Sequence, residues 1–140
     1  MATAEAIVTM AVEPETAWAS VGRFDDPSWI HGVSAHEVEG EGVGARRTLH
    51  LEDGARPVEV LAAVGEHAYT FEMPDDVPLP VRAFRSELSV VAIEGGCEVR
   101  WVSTFEADGV HPAAVVRQLS SMYASSLYAV KRALEGSADA

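Results

Sequence analysis

The feature that most constrains this chain is the run from His111 to Glu135. At 3.6 residues per turn, Val116, Leu119, Met122, Tyr123, Leu127, Val130 and Leu134 share one face, while Arg117, Ser121, Ala124, Tyr128, Lys131, Arg132 and Glu135 share the other. Pro112 suits a first helical position, Lys131 and Arg132 suit the negative helix end, and Gly136 is placed as a left-handed terminator. At ~1.5 Å per residue the helix is about 37 Å long, enough to cross a small domain. It must lay its apolar face against something broad. Nearly everything before it reads as β-strand, so that surface is expected to be a curved sheet.

The first strand is Thr3 to Val12, alternating with Ala6, Val8, Met10 and Val12 on one face. Glu13-Pro14-Glu15 opens a short helix carrying Trp18 and Val21 and stopping at Gly22. Asp25-Asp26-Pro27 opens a second, shorter one carrying Trp29 and Ile30 and ending at Gly32. Further strands are expected over Val33–Glu39, Ala45–Leu51, Arg56–Val64 and His67–Met73, with Asp53-Gly54 as a hairpin signal. Pro74 to Pro80 is a proline-stiffened loop, and Arg82–Ile93 with Cys97–Glu106 makes a long hairpin across Glu94-Gly95-Gly96. Gly40 to Gly44 is a glycine-rich turn but not a phosphate loop, because another strand follows it rather than a helix. The expected architecture is α+β: a seven-stranded antiparallel sheet curled round one long helix, with two short helices after the first strand. The space left between helix and sheet is a pocket.

The 140 residues fit one domain, residues 1–140, and no apolar run approaches the ~20 residues of a membrane span. No basic segment followed by an apolar core opens the chain, so no signal peptide is expected. The one cysteine, Cys97, reads as a plain strand residue and fits a reducing compartment, so the expected location is cytoplasmic. A net charge of −12 argues against nucleic acid or an anionic membrane as partner. The five histidines are dispersed with no metal-ligand spacing, and there is no Rossmann, Walker or nucleophile-elbow motif, so neither metal nor cofactor is expected.

Chemistry rests on which polar side chains face the pocket. Arg82, Phe84, Ser86, Leu88 and Val90 share one face of the sixth strand, and Val99, Trp101, Ser103 and Phe105 share the inward face of the seventh. Phe84, Ser86, Trp101 and Ser103 then offer apolar surface and hydroxyls to an oxygenated, mostly apolar ligand. Glu59 shares a face with Leu61, and Arg47 lies on the partner strand with Leu49 and Leu51. A strict two-residue turn puts Arg47 opposite Val60; a one-residue bulge brings Arg47 and Glu59 onto one face. The alternative is an exposed ion pair contributing under ~1 kcal/mol. Tyr69 and Tyr123 each carry a hydroxyl on an apolar body. Trp29 and Leu127 complete the candidate ligand wall, although Trp29 and Tyr123 also suit the core.

With these residues placed, the chain resembles the START-like helix-grip superfamily, and within it the small bacterial polyketide cyclase/dehydrase-type members. The resemblance rests on Pro14 to Trp18, Phe24, Trp29, Gly42-Val43-Gly44-Ala45-Arg46-Arg47 and Asp53-Gly54. It continues with Val58-Glu59-Val60-Leu61, Tyr69-Thr70-Phe71 and Trp101-Val102-Ser103-Thr104-Phe105. It implies a deep cavity between helix and sheet, lined by the positions of Glu59, Phe84 and Ser86, and so turns Glu59 inward. It also implies an arginine that steers aldol closure of a poly-β-ketone, a part open to Arg47 or Arg82.

Two functions follow. One is a cyclase or dehydratase of secondary metabolism, with Glu59 as general acid/base and Arg47 or Arg82 stabilising an enolate. The other is a non-catalytic carrier or sensor of a lipid or aromatic metabolite. A third, an interaction module like the chaperone activators of this fold, needs an exposed apolar patch that the acidic composition gives little sign of. The partner expected in the first two is a hydrophobic small molecule, bound by a monomer or homodimer.

Overall fold

The computed structural model describes residues 1–74 and 80–138. In chain order the elements are β1 (Ala2–Met10), α1 (Pro14–Val21), β2 (Val33–Glu39), β3 (Arg46–Leu51), β4 (Val58–Gly65), β5 (Ala68–Glu72), β6 (Val81–Ile93), β7 (Gly96–Ala107) and α2 (Pro112–Ala138). The seven strands form one antiparallel sheet in the order β1-β7-β6-β5-β4-β3-β2. This is the helix-grip arrangement expected from the sequence. The proline-stiffened loop falls mostly on 75–79, outside the described residues.

Alternation fixes which sheet face is buried. Ala4, Ala6, Val8 and Met10 on β1, Phe84, Ser86, Leu88 and Val90 on β6, and Cys97, Val99, Trp101, Ser103 and Phe105 on β7 point inward. α2 covers only part of that face. It lies chiefly along β1, where Lys131 Nζ donates to the Thr9 carbonyl at 2.7 Å and Glu135 Oε2 accepts from the Ala11 amide at 2.9 Å. Its buried residues are Val115, Tyr123, Ser126, Leu127 and Val130, with Val116, Leu119, Met122 and Leu134 partly covered. The apolar periodicity is thus borne out, with Val115 added.

Two expected boundaries differ. Asp25 to Gly32 is not a helix. Single turns close it, from the Asp26 amide to the Arg23 carbonyl and from the Ile30 amide to the Pro27 carbonyl, each at 3.0 Å. Pro27 removes a donor, and Gly32 at φ +88° breaks the run of helical dihedrals, so that the Val33 amide closes only one more isolated turn, on the Ile30 carbonyl at 3.2 Å. This segment is pinned to α2 instead, by the His31 amide donating to Ser126 Oγ at 2.8 Å. Gly136 does not end α2, which runs through it to Ala138; a glycine costs a helix only about 1 kcal/mol. Gly22 does stop α1, its amide bonding the Trp18 carbonyl at 2.7 Å. A Cβ there would lie 2.3 Å from the Trp18 ring, so the indole is laid across the glycine.

Candidate functional site

The β3–β4 hairpin sets the site. The Gly54 amide bonds the Leu51 carbonyl at 2.9 Å and the Leu51 amide bonds the Ala55 carbonyl at 2.9 Å, closing a three-residue loop with Gly54 at φ +91°. That is a turn with one extra left-handed residue, the bulged alternative, and it pairs Arg47 with Glu59 directly across the strands. Arg47 Nε donates to Glu59 Oε1 at 2.6 Å, and its Nη1 donates to the Phe24 carbonyl at 2.9 Å. The guanidinium carbon sits 4.3, 5.0 and 5.7 Å from the ring centres of Phe24, Phe71 and Tyr69. Arg47 is completely buried and Glu59 is 4% exposed. Burial raises the Glu59 carboxyl above its usual range, and Arg47 pulls it part of the way back. Burial likewise raises the Tyr69 phenol, against the opposing charge of Arg47.

A second polar group lies on β6, β7 and α2. The Trp101 indole N–H and the Ser103 hydroxyl both donate to Ser86 Oγ, each at 2.8 Å, and Ser103 Oγ lies 2.6 Å from the Tyr123 hydroxyl. The Trp101 and Tyr123 rings stack 3.9 Å apart at 14°, and the Trp29 ring is tilted against Trp101 at 5.3 Å and 56°. Burial pushes the Tyr123 phenol well above the ordinary tyrosine value, with the Ser103 hydrogen bond opposing it.

Among the described residues, the enclosed space between these groups and α2 is small. Arg47, Phe71, Phe105 and Tyr123 are among the largest fully buried side chains there. Two spaces lie here among the described residues. An inner chamber of about 30 Å³ touches Glu59, Trp101 and Tyr123. An outer groove of about 280 Å³ reaches the surface past Asp53, Val115 and Gln118. Leu51, Met73, Phe84, Leu119 and Met122 belong to both walls. The described residues thus place a small polar-ended chamber behind an apolar groove.

Of the candidate residues, Glu59, Phe84, Trp101 and Tyr123 reach this space. Ser86 and Ser103 stand behind the wall and hold Trp101 and Tyr123 in place. Tyr69, Trp29 and Leu127 pack against other rings or the core. Arg47 grips Glu59 from behind rather than lining the chamber. Arg82 does not face inward. A register shift between Arg82 and Arg85, with Ala83 at φ +51°, turns it to the surface, where its Nε bonds Asp108 Oδ2 at 2.9 Å. The wall residues Met73, Leu49 and Leu51 were not singled out as ligand contacts. Leu51 and Leu49 share the Arg47 face, which was the available signal. Among the described residues no group of three or more His, Cys, Asp or Glu side chains could hold a metal, and no helix is long and apolar enough to cross a membrane.

A curved antiparallel sheet gripping one long helix, with a buried ion pair behind a small chamber, defines a helix-grip ligand-binding fold. The chain belongs to the family described as polyketide cyclase/dehydrase and lipid transport, whose model matches residues 1–135. It is similar to the solved protein XoxI from Bacillus cereus, at 25% identity over 95% of each chain and a TM-score of 0.85. It is also similar to an uncharacterised protein from Bacillus thuringiensis, at 23% identity over 94% of this chain and 98% of that one, with a TM-score of 0.83. The di-domain aromatase/cyclase StfQ of the steffimycin biosynthetic pathway shares the fold, at 14% identity over 99% of this chain and 52% of that one, TM-score 0.81. No curated protein matches the sequence.

Proposed function

We propose that this protein binds an apolar small molecule with a polar head between α2 and the sheet, and holds it without turnover, as a carrier or sensor. The observation that supports binding over catalysis is the placement of its cations. An enolate needs a positive or hydrogen-donating group at the reacting oxygen, yet Arg47 is sealed among three rings behind Glu59 and Arg82 is on the surface. Titration with the neutral fluorophore N-phenyl-1-naphthylamine tests the reading. Saturable binding that is lost in Leu119→Trp, which fills the shared wall, is expected; binding that survives this change overturns it.

A second reading, cyclase or dehydratase activity, draws on one observation: Glu59 lines the chamber with a carboxyl raised by burial, as a general base requires. If it holds, Glu59→Gln, or Glu59→Gln with Arg47→Met where the single change unfolds the chain, abolishes turnover of a carbonyl-bearing substrate while ligand binding persists. Unchanged turnover removes Glu59 from any mechanism.

A further inference from the structure

The inner chamber carries a one-sided hydrogen-bonding code. Among the described residues, three side chains on its wall have polar nitrogen or oxygen atoms: Glu59, Trp101 and Tyr123. The Trp101 N–H is spent on Ser86 Oγ. Ser103 gives its single hydrogen to the same oxygen, so the 2.6 Å contact between Ser103 and Tyr123 takes its hydrogen from the phenol. Among the described residues the wall therefore has no side-chain donor to spare. Glu59 is in the opposite position. One of its oxygens accepts from Arg47, and no second donor among the described residues reaches the carboxylate. An ionised carboxylate has about four lone-pair sites, and one left short in an apolar chamber is a strong acceptor waiting for a hydrogen.

Resting on the binding function proposed above, we infer that the head of the ligand is a single neutral hydroxyl, alcohol or phenol, that donates to Glu59, with an apolar body in the outer groove. A chamber of about 30 Å³ is the size of one water-like group, which excludes a poly-oxygenated head. A carbonyl or ether oxygen would meet only acceptors. A carboxylate would face Glu59 inside a chain of net charge −12. The groove of about 280 Å³ accommodates a body of one or two rings, or a short aliphatic chain.

The test compares 2-naphthol, 2-methoxynaphthalene and 2-naphthoate by calorimetric titration into the wild-type protein. 2-Naphthol is expected to bind at least ten-fold more tightly than either analogue, and Glu59→Gln, whose amide can donate, is expected to erase the preference over the ether. Because Glu59→Gln strands a buried guanidinium and can unfold the chain, Glu59→Gln with Arg47→Met serves as the second variant. Equal affinity for naphthol and its methyl ether overturns the donor inference while leaving the binding function standing. Tighter binding of the naphthoate also overturns it. No binding of any of the three overturns both.

Discussion

Arg47 Nε stands 2.6 Å from Glu59 Oε1 on the neighbouring strand, in a pair almost wholly shut off from solvent. Two charges in such a place carry a desolvation cost of several kcal/mol each, which their mutual attraction repays only when both are present. Arg47→Met alone is therefore expected to lose about 3–5 kcal/mol of stability, because it leaves a buried carboxylate unpaired. Arg47→Met with Glu59→Leu is expected to recover most of that loss. Urea unfolding of the two variants measures it; a double variant no more stable than Arg47→Met would contradict the coupling.

Tyr123 gives the pH dependence. Its phenol is raised by burial, so the folded protein keeps a proton that the unfolded chain releases near the ordinary tyrosine value of roughly 10. The unfolded state then binds fewer protons, and stability falls as pH climbs above that value. Tyr69, also raised by burial, acts in the same direction. Melting temperatures between pH 9 and pH 11 should fall, less steeply in Tyr123→Phe. An equal slope in that variant would place the alkaline sensitivity elsewhere.

The glycines separate close approach from mere flexibility. A Cβ on Gly96 would lie 2.1 Å from the Met10 carbonyl oxygen, backbone against backbone where β1 meets β7. Gly96→Ala is expected to cost about 3 kcal/mol, the upper end of ordinary overpacking. Gly136, inside α2 with open space around it, is expected to gain roughly 0.5–1 kcal/mol on change to alanine. Thermal melts of the two variants check both signs.

The hydroxyl group between strands and helix can be read through Tyr123→Phe as well. That change keeps the ring stack on Trp101 and deletes the bond to Ser103, for an expected loss of about 1 kcal/mol. A Ser86→Ala change removes the shared acceptor of Trp101 and Ser103 and is expected to cost more, roughly 1–3 kcal/mol, because a buried indole N–H is left unpaired. Equal losses in chemical denaturation would contradict that ordering.

Much of the fold was legible because it rests on period. The α2 stripe and the alternation along β6 and β7 place the core residues with no knowledge of contacts. The Arg47–Glu59 meeting was legible only as two alternatives, since one residue in the turn decides it, and Gly54 turned out to be that residue. Arg82 misled because a bulge centred on Ala83 carries no glycine to announce it. Asp25 to Gly32 has helix-start chemistry, but its turns are closed one at a time and its position comes from Ser126 on a distant helix. The size of the cavity was not legible at all. It depends on Arg47, Phe71, Phe105 and Tyr123 converging from four different elements, and pattern along the chain says nothing about such sums of volume.

The most direct test of ligand binding between α2 and the sheet uses the four methionine methyls as reporters. Met73 and Met122 line the cavity walls, Met10 is buried in the core on β1, and Met1 is exposed at the terminus. With carbon-13 in the methionine methyls, titration with 2-naphthol is expected to shift the Met73 and Met122 signals, saturably and together, while Met1 and Met10 stay in place. Shifts confined to Met1 or Met10, or none at all, would contradict the account.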